Sequence, residues 1–227
     1  MSFETSYLAL REKEGRSFSD AQLRALPLVE PGHPQAEEWR LRGLSSARLL
    51  ACLQQRGAAT RVLEVGCGNG WLAHRMAAHC AVTATDVLAP EIEQARRAFA
   101  SVPNLRFVLG GLEAPELQGQ RFDLIVFAAS LQYFADLPAL LRDCFERAPE
   151  IHILDSPFYA EADLAGARER SAQHFAALGQ PELARHYHHH SRSALDPFAP
   201  ELLYAPQQGN GDTPFPWLRI VIVKSAP

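Results

Sequence analysis

The residues best suited to chemistry lie close together. In VLEVGCGNGWLA, residues 62–73, an apolar run carries Glu64, three glycines follow at Gly66, Gly68 and Gly70, and a helix-like run begins at Trp71. Glycines at that spacing allow a tight turn and clear side chains from a surface that a ligand can approach closely. A turn that opens a helix also presents backbone N–H groups, which suit a carboxylate, while Glu64 offers an acceptor to an ammonium group. A second acid, Asp86, ends the next β-rich run at TATDV, where a carboxylate can accept two hydrogen bonds from a ribose diol. Two kinds of cofactor site fit this pattern. A dinucleotide site for NAD(P) requires GxGxxG, and the position of its third glycine is held by Trp71, a poor match.

The set of neighbours separates the two. With Glu64, the glycines, Asp86 and the small-residue run FAAS at 127–130, the chain resembles the class I S-adenosyl-L-methionine (AdoMet)-dependent methyltransferases, in the broad small-molecule branch. Their E/D-x-G-x-G-x-G signature reads here E64-V-G-C-G-N-G70, and the resemblance spans about residues 58–156. It implies an SN2 transfer of a methyl group to an O, N or C nucleophile of a small molecule, with S-adenosyl-L-homocysteine as product. It also implies that Glu64, Gly66, Cys67, Gly68 and Gly70 hold the methionine end of AdoMet, Asp86 the ribose and Val87 the adenine. Leu112 and Glu113 fall where the family contacts adenine, and Ala128 and Ala129 where backbone closes the site near the sulfonium. Many members carry an acid at the position of Gly111; this chain has Gly110-Gly111, which leaves that contact to the Leu112 backbone or the Glu113 side chain. An NAD(P)-dependent oxidoreductase and a non-catalytic AdoMet-binding module stay open as alternatives.

Since the sulfonium arrives activated, alignment of the acceptor accounts for much of the work, about 7–11 kcal/mol of barrier. Candidate catalytic side chains are His186 and His188 in the HYHHH run at 186–190, as bases that titrate near neutrality, and Tyr133 in SLQYF, which either faces substrate or packs as an ordinary aromatic. The histidine run lacks an Asp or Cys partner at ligand spacing, so no metal is expected. Arg42, in EEWRLRGLSS, is placed by the resemblance to clamp the cofactor carboxylate, or else belongs to a solvated helix face. Tyr7 either covers the cofactor or packs, and Asp155 in ILDSPF either bonds substrate or forms a turn.

The elements that must position these residues alternate. Strand-like runs at 61–66, 81–87, 105–110, 122–129 and 151–156 are separated by helix-like runs, the pattern of a doubly wound α/β fold. A terminal hairpin, 201–206 with 217–224, adds one antiparallel strand to an otherwise parallel sheet, making seven strands in a Rossmann-like methyltransferase fold. A single domain of 1–227 is expected, with an N-terminal helical cap at 1–45, an AdoMet-binding core at 58–156, a lid or substrate insertion at 157–200 and the hairpin at 201–227. The net charge of −4 provides no overall footprint for nucleic acid, and no N-P-P-Y-type motif follows the fourth strand, so DNA is not the expected substrate. The absence of a signal-like start, of a 20-residue apolar run and of paired cysteine spacings points to a cytoplasmic protein without membrane contact.

Overall fold

The computed structural model describes residues 3–206 and 212–222. Five short apolar runs form the parallel strands β1 (Arg61–Val65), β2 (Ala81–Asp86), β3 (Leu105–Leu109), β4 (Leu124–Ala128) and β5 (Glu150–Leu154). Val62 stands opposite both Val82 and Leu124, and Ile125 opposite Ile151. β4 is buried from Leu124 to Phe127, which explains its continuous rather than alternating hydrophobicity, and β5 is buried throughout. Two-residue strands β6 (Phe158–Tyr159) and β7 (His190–Ser191) pair with each other apart from the main sheet. The chain then returns through β8 (Glu201–Tyr204) and β9 (Trp217–Val221), with β9 antiparallel to both β5 and β8. The strand order β3-β2-β1-β4-β5-β9-β8 is thus the expected seven-stranded, doubly wound sheet with one antiparallel member. Residues 223 and 224 of the predicted last strand, and 207–211 of the loop before it, lie outside the described residues.

Helices cover both faces. α1 (Phe3–Lys13), α2 (Asp20–Ala25) and α3 (Ala36–Arg56) precede the sheet; α4 (Trp71–Met76), α5 (Ala89–Ala98) and α6 (Leu137–Phe145) are crossovers; α7 (Leu164–Ala177) lies in the insertion after β5. Local chemistry sets several starts. Ser19 and Gln22 form a reciprocal capping box at α2, and Asp136 caps α6 through Ala139 N at 2.9 Å, with Pro138 in the first turn. One face of the sheet packs Val62, Val82, Met76, Ile92 and Leu53 together, the other Leu63, Ile125, Leu141 and Ile151, each nearly free of solvent. Burial of each such side chain stabilises the fold by roughly 1.5–3 kcal/mol. The cap boundary expected at residue 45 falls inside α3, which runs unbroken to Arg56. Among the described residues no helix is long and apolar enough to cross a membrane, and the four cysteines are unpaired.

A polar knot ties α3 to the far half of the sheet. Glu150 accepts from His152 Nε2 at 2.7 Å and Arg56 Nη2 at 2.5 Å, while Trp217 Nε1 donates to His152 Nδ1 at 3.0 Å. Burial alone would raise the Glu150 carboxyl, but the His152 and Arg56 donors hold it down at about 2. Because its folded value lies below the ordinary carboxylate value, the knot adds stability above pH about 4.5 and loses it as pH falls toward 2. Glu150→Gln is therefore expected to lower unfolding free energy by roughly 2–3 kcal/mol at neutral pH. Urea titrations at pH about 7 and about 3 should show the gap narrowing in acid.

Candidate active site

The glycine turn between β1 and α4 sits where the strand order reverses, and its three glycines do different things. Gly66, Gly68 and Gly70 all have positive φ, at 74°, 53° and 76°. A Cβ on Gly66 would meet Ser130 Cβ at 2.5 Å, and one on Gly70 would collide with the Phe107 ring. Only at Gly68, of the three, would a Cβ enter open space, with Glu91 Oε2 its nearest neighbour at 3.9 Å. Gly66 and Gly70 thus let the turn close against β4 and β3, and Gly68 faces the cavity.

That cavity has a volume of about 990 Å³ and opens at the carboxyl ends of the strands. It lies at the upper end of the range for small-molecule sites. The turn's amides are already engaged: Gly66 N and Cys67 N donate to Thr85 O at 2.9 and 3.0 Å, and Gly68 N to Asp86 Oδ2 at 2.8 Å. The expected cradle of free N–H groups is therefore replaced by carboxylates. Glu64 is 3% exposed and its Oε2 has no partner; Glu91, on α5, likewise keeps an unpartnered Oε2. Asp86 Oδ1 accepts from Leu88 N at 3.0 Å. Burial, and then the nearby Asp86 charge, push the Glu64 carboxyl up to about 8; burial also raises Asp86 and Glu91. The floor of the cavity is thus lined by three poorly hydrated carboxyls.

The opposite wall comes from the segments flanking the sheet. Phe3, Tyr7 and Arg11 of α1, Tyr133 beyond β4, and His186 and Tyr187 after α7 all line the cavity. Their rings form a chain of contacts, Phe3 to Tyr7 at 5.6 Å, Tyr7 to Tyr133 at 5.6 Å and Tyr133 to Tyr187 at 6.0 Å between centroids. Two non-glycine residues with positive φ, Ala129 at 55° and Asp155 at 51°, end β4 and β5 at the rim, a conformation that L-residues adopt at a cost.

Most residues singled out from the sequence converge here. Glu64, Gly66, Cys67, Gly68, Asp86, Val87, Ala128, Ala129, Arg42, Tyr133 and His186 all line the cavity. Arg42 is held by Glu38, Nε to Oε1 at 2.9 Å, and Asp155 accepts from Ser45 Oγ at 2.8 Å. Cys67 is a buried thiol whose ionisation is pushed well up, first by desolvation. Four residues lie elsewhere. Gly70 packs under Phe107; Leu112 is buried in the core with Val108 and Leu117; Glu113 folds back to accept from Gly111 N at 3.1 Å. His188 is fixed by its backbone N–H to Gln132 O, and its imidazole does not line the cavity. The histidine run disperses: His189 pairs with Ser171 Oγ at 2.9 Å and His190 with Leu131 O at 3.1 Å. Among the described residues no group of His, Cys, Asp and Glu could hold a metal ion. Sequence reasoning missed Arg11 and Glu91, although Tyr7 and Arg11 stand four apart on one helix, a spacing that could have flagged them.

The sheet order, the glycine turn and an acid at the end of β2 define the Rossmann-like class I methyltransferase fold. Residues 62–148 match the sequence profile of a methyltransferase domain. An uncharacterized methyltransferase of Mycobacterium tuberculosis is 40% identical over 76 residues, 33% of this chain and 38% of the relative. A ubiquinone biosynthesis O-methyltransferase of Chelativorans sp. is 33% identical over 88 residues, 38% of this chain and 35% of the relative. The chain thus spans well under half the length of these curated relatives. Among solved structures, magnesium protoporphyrin IX methyltransferase from Synechocystis with bound S-adenosylhomocysteine superposes with a TM-score of 0.60 at 16% identity, covering 96% of this chain and 94% of that one.

Glu64 has a stability signature. Its folded-state value of about 8 lies above the ordinary carboxyl, so the folded chain keeps a proton that the unfolded chain releases. Wild-type stability should fall as pH rises from about 4.5 through 8, by roughly 2–4 kcal/mol. Glu64→Gln should flatten that slope, so denaturant titrations at pH about 5 and about 9 should find the variant gaining on the wild type in alkali.

Proposed function

We propose that the cavity binds AdoMet and that the chain transfers its methyl group to a small-molecule acceptor. The observation that carries this reading is the buried Glu64 carboxyl with an unpartnered Oε2 in the cavity that Gly68 also lines. A buried polar atom without a partner costs free energy that a cationic ligand group would recover. Glu64, with Gln132, whose Oε1 is also unpartnered and which lines the cavity, suits the methionine ammonium. Asp86 at the end of β2 is positioned for the ribose, and Val87, 58% exposed at the cavity wall, for the adenine face. Arg42, with Arg16 beside it on the same Glu38, supplies positive charge for the ligand carboxylate. When bound, AdoMet supplies a methyl group activated on a sulfonium.

The protein's own contribution is then alignment and exclusion of water. Ala128 and Ala129 leave room for close approach at the end of β4, and the ring wall desolvates the acceptor. Tyr133 is enclosed, and burial followed by its contact with Tyr7 raises its phenol well above the ordinary value, so it acts as a hydrogen-bond donor rather than a base. A dinucleotide fits worse. Its diphosphate needs free amides at the glycine turn, whereas here those of Gly66, Cys67 and Gly68 are taken and Asp86 and Glu91 would oppose its charge. A small acceptor suits a bounded cavity of this size, and the Synechocystis neighbour is named for a small-molecule substrate.

Calorimetry tests this directly. S-adenosylhomocysteine should bind and NADH should not; the reverse result would sink the reading. Asp86→Ala should weaken binding about tenfold or more, since a charged acceptor of two hydrogen bonds is lost. At pH about 7 AdoMet binding should release up to about one proton as Glu64 ionises against the incoming cation, and Glu64→Gln should abolish that release. Titrations in buffers of different ionisation enthalpy measure it.

A further inference from the structure

At the junction of the acidic floor and the ring wall stands a buried cation that the cofactor reading leaves unused. Arg11, from α1, has a side chain only 17% exposed, and its Nε is buried without a hydrogen-bond partner. Glu91 is the carboxylate that approaches it, at 3.5 Å from Nη2, long for a charge-assisted bond. The guanidinium also lies 6.0 Å from the Tyr7 ring centroid, and the Tyr7 oxygen lies against both the guanidinium and the Tyr133 hydroxyl. Phe3, His186 and Tyr187 surround this group, with Phe3 and His186 centroids 4.9 Å apart.

Each part of this arrangement selects for something. A guanidinium with an unmet donor, set among phenolic O–H groups away from water, is matched by an oxygen anion and mismatched by an ammonium group. Rings standing edge to face around it favour a flat aromatic body over an extended chain. The location is informative too, because Arg11 links Glu91, next to Gly68, with Tyr133, beside the end of β4. An acceptor held there would adjoin the cofactor's side of the cavity.

We propose that Arg11, with Tyr7 and Tyr133, is the anchor for an acidic oxygen, a carboxylate or phenolate, on an aromatic acceptor. This rests on the methyltransferase reading for the word acceptor, but the oxyanion site itself does not. Where that oxygen is itself the acceptor, its O–C bond forms as the S–C bond of the sulfonium breaks and S-adenosylhomocysteine leaves, with no proton to lose, so neither His186 nor His188 is required as a base. The ordering of roles is then simple: the floor takes a cation, Arg11 takes an anion, and the rings hold the acceptor's body.

The test is calorimetric titration of the full chain, with and without saturating S-adenosylhomocysteine. The probes are benzoate, 4-nitrophenolate, benzyl alcohol, benzylamine and acetate. One or both aromatic anions should bind about tenfold or more tightly than the neutral, cationic and non-aromatic probes, and the stronger of the two identifies carboxylate or phenolate. Arg11→Gln should remove that preference and Arg11→Lys retain part of it, while both variants still bind S-adenosylhomocysteine. Benzyl alcohol or benzylamine binding as well as the anions, no anion binding at all, or an anion preference unchanged in Arg11→Gln would overturn the proposal. Anion binding through Arg11 in a chain that ignores S-adenosylhomocysteine would keep the oxyanion site and overturn the cofactor reading instead.

Discussion

The reversal of strand order between β1 and β4 is the constraint from which the site follows. Right-handed crossovers send the chain to opposite faces of the sheet on either side of that point, so the carboxyl ends of β1 and β4 part and leave a crevice. The turn after β1 can lie in the crevice only if its backbone passes close to neighbours from β3 and β4, and Gly66 against Ser130 and Gly70 against Phe107 meet that requirement. Ser130 in turn donates to Val65 O at 2.7 Å, locking β4's exit to β1. Packing of the turn and openness of the cavity are therefore one problem with one solution.

The electrostatics of the crevice follow from the same closure. With amides of the turn committed to Thr85 and Asp86, the carboxyls of Glu64, Asp86 and Glu91 line the crevice beside it. Glu64, Asp86 and Glu91 share a poorly hydrated space in which their ionisation is disfavoured, and Arg11 from α1 offsets part of that charge. α1 is itself held to the insertion by Ser6 to Glu182 at 2.6 Å and Lys13 to Leu178 O at 2.6 Å. A helix remote from the sheet thereby sets the charge balance of a site whose floor the sheet builds.

What could be read from the sequence was what is local and periodic. The parallel strands, the two strands of the terminal hairpin and the acid–glycine signature announce themselves because each is encoded within about ten consecutive residues. The division of labour among the glycines was not legible, since Ser130 and Phe107 lie some sixty and forty residues away along the chain. The histidine run misled for a related reason. Its members look equivalent in sequence, yet His186 faces the cavity, His189 turns to Ser171 and His190 to a backbone carbonyl. Arg11 and Glu91 were invisible as a pair because the contact that joins them spans the chain from α1 to α5.

The two halves of the cavity are written in separate stretches of chain. The acidic floor is drawn from the segment between β1 and β4, while the ring wall and Arg11 come from α1, from Tyr133 just after β4 and from the segment beyond β5. The region matched to the methyltransferase profile, 62–148, contains the first of these and little of the second. Substitutions in the flanking segments can therefore remodel what the wall recognises while leaving sheet packing and glycine turn intact.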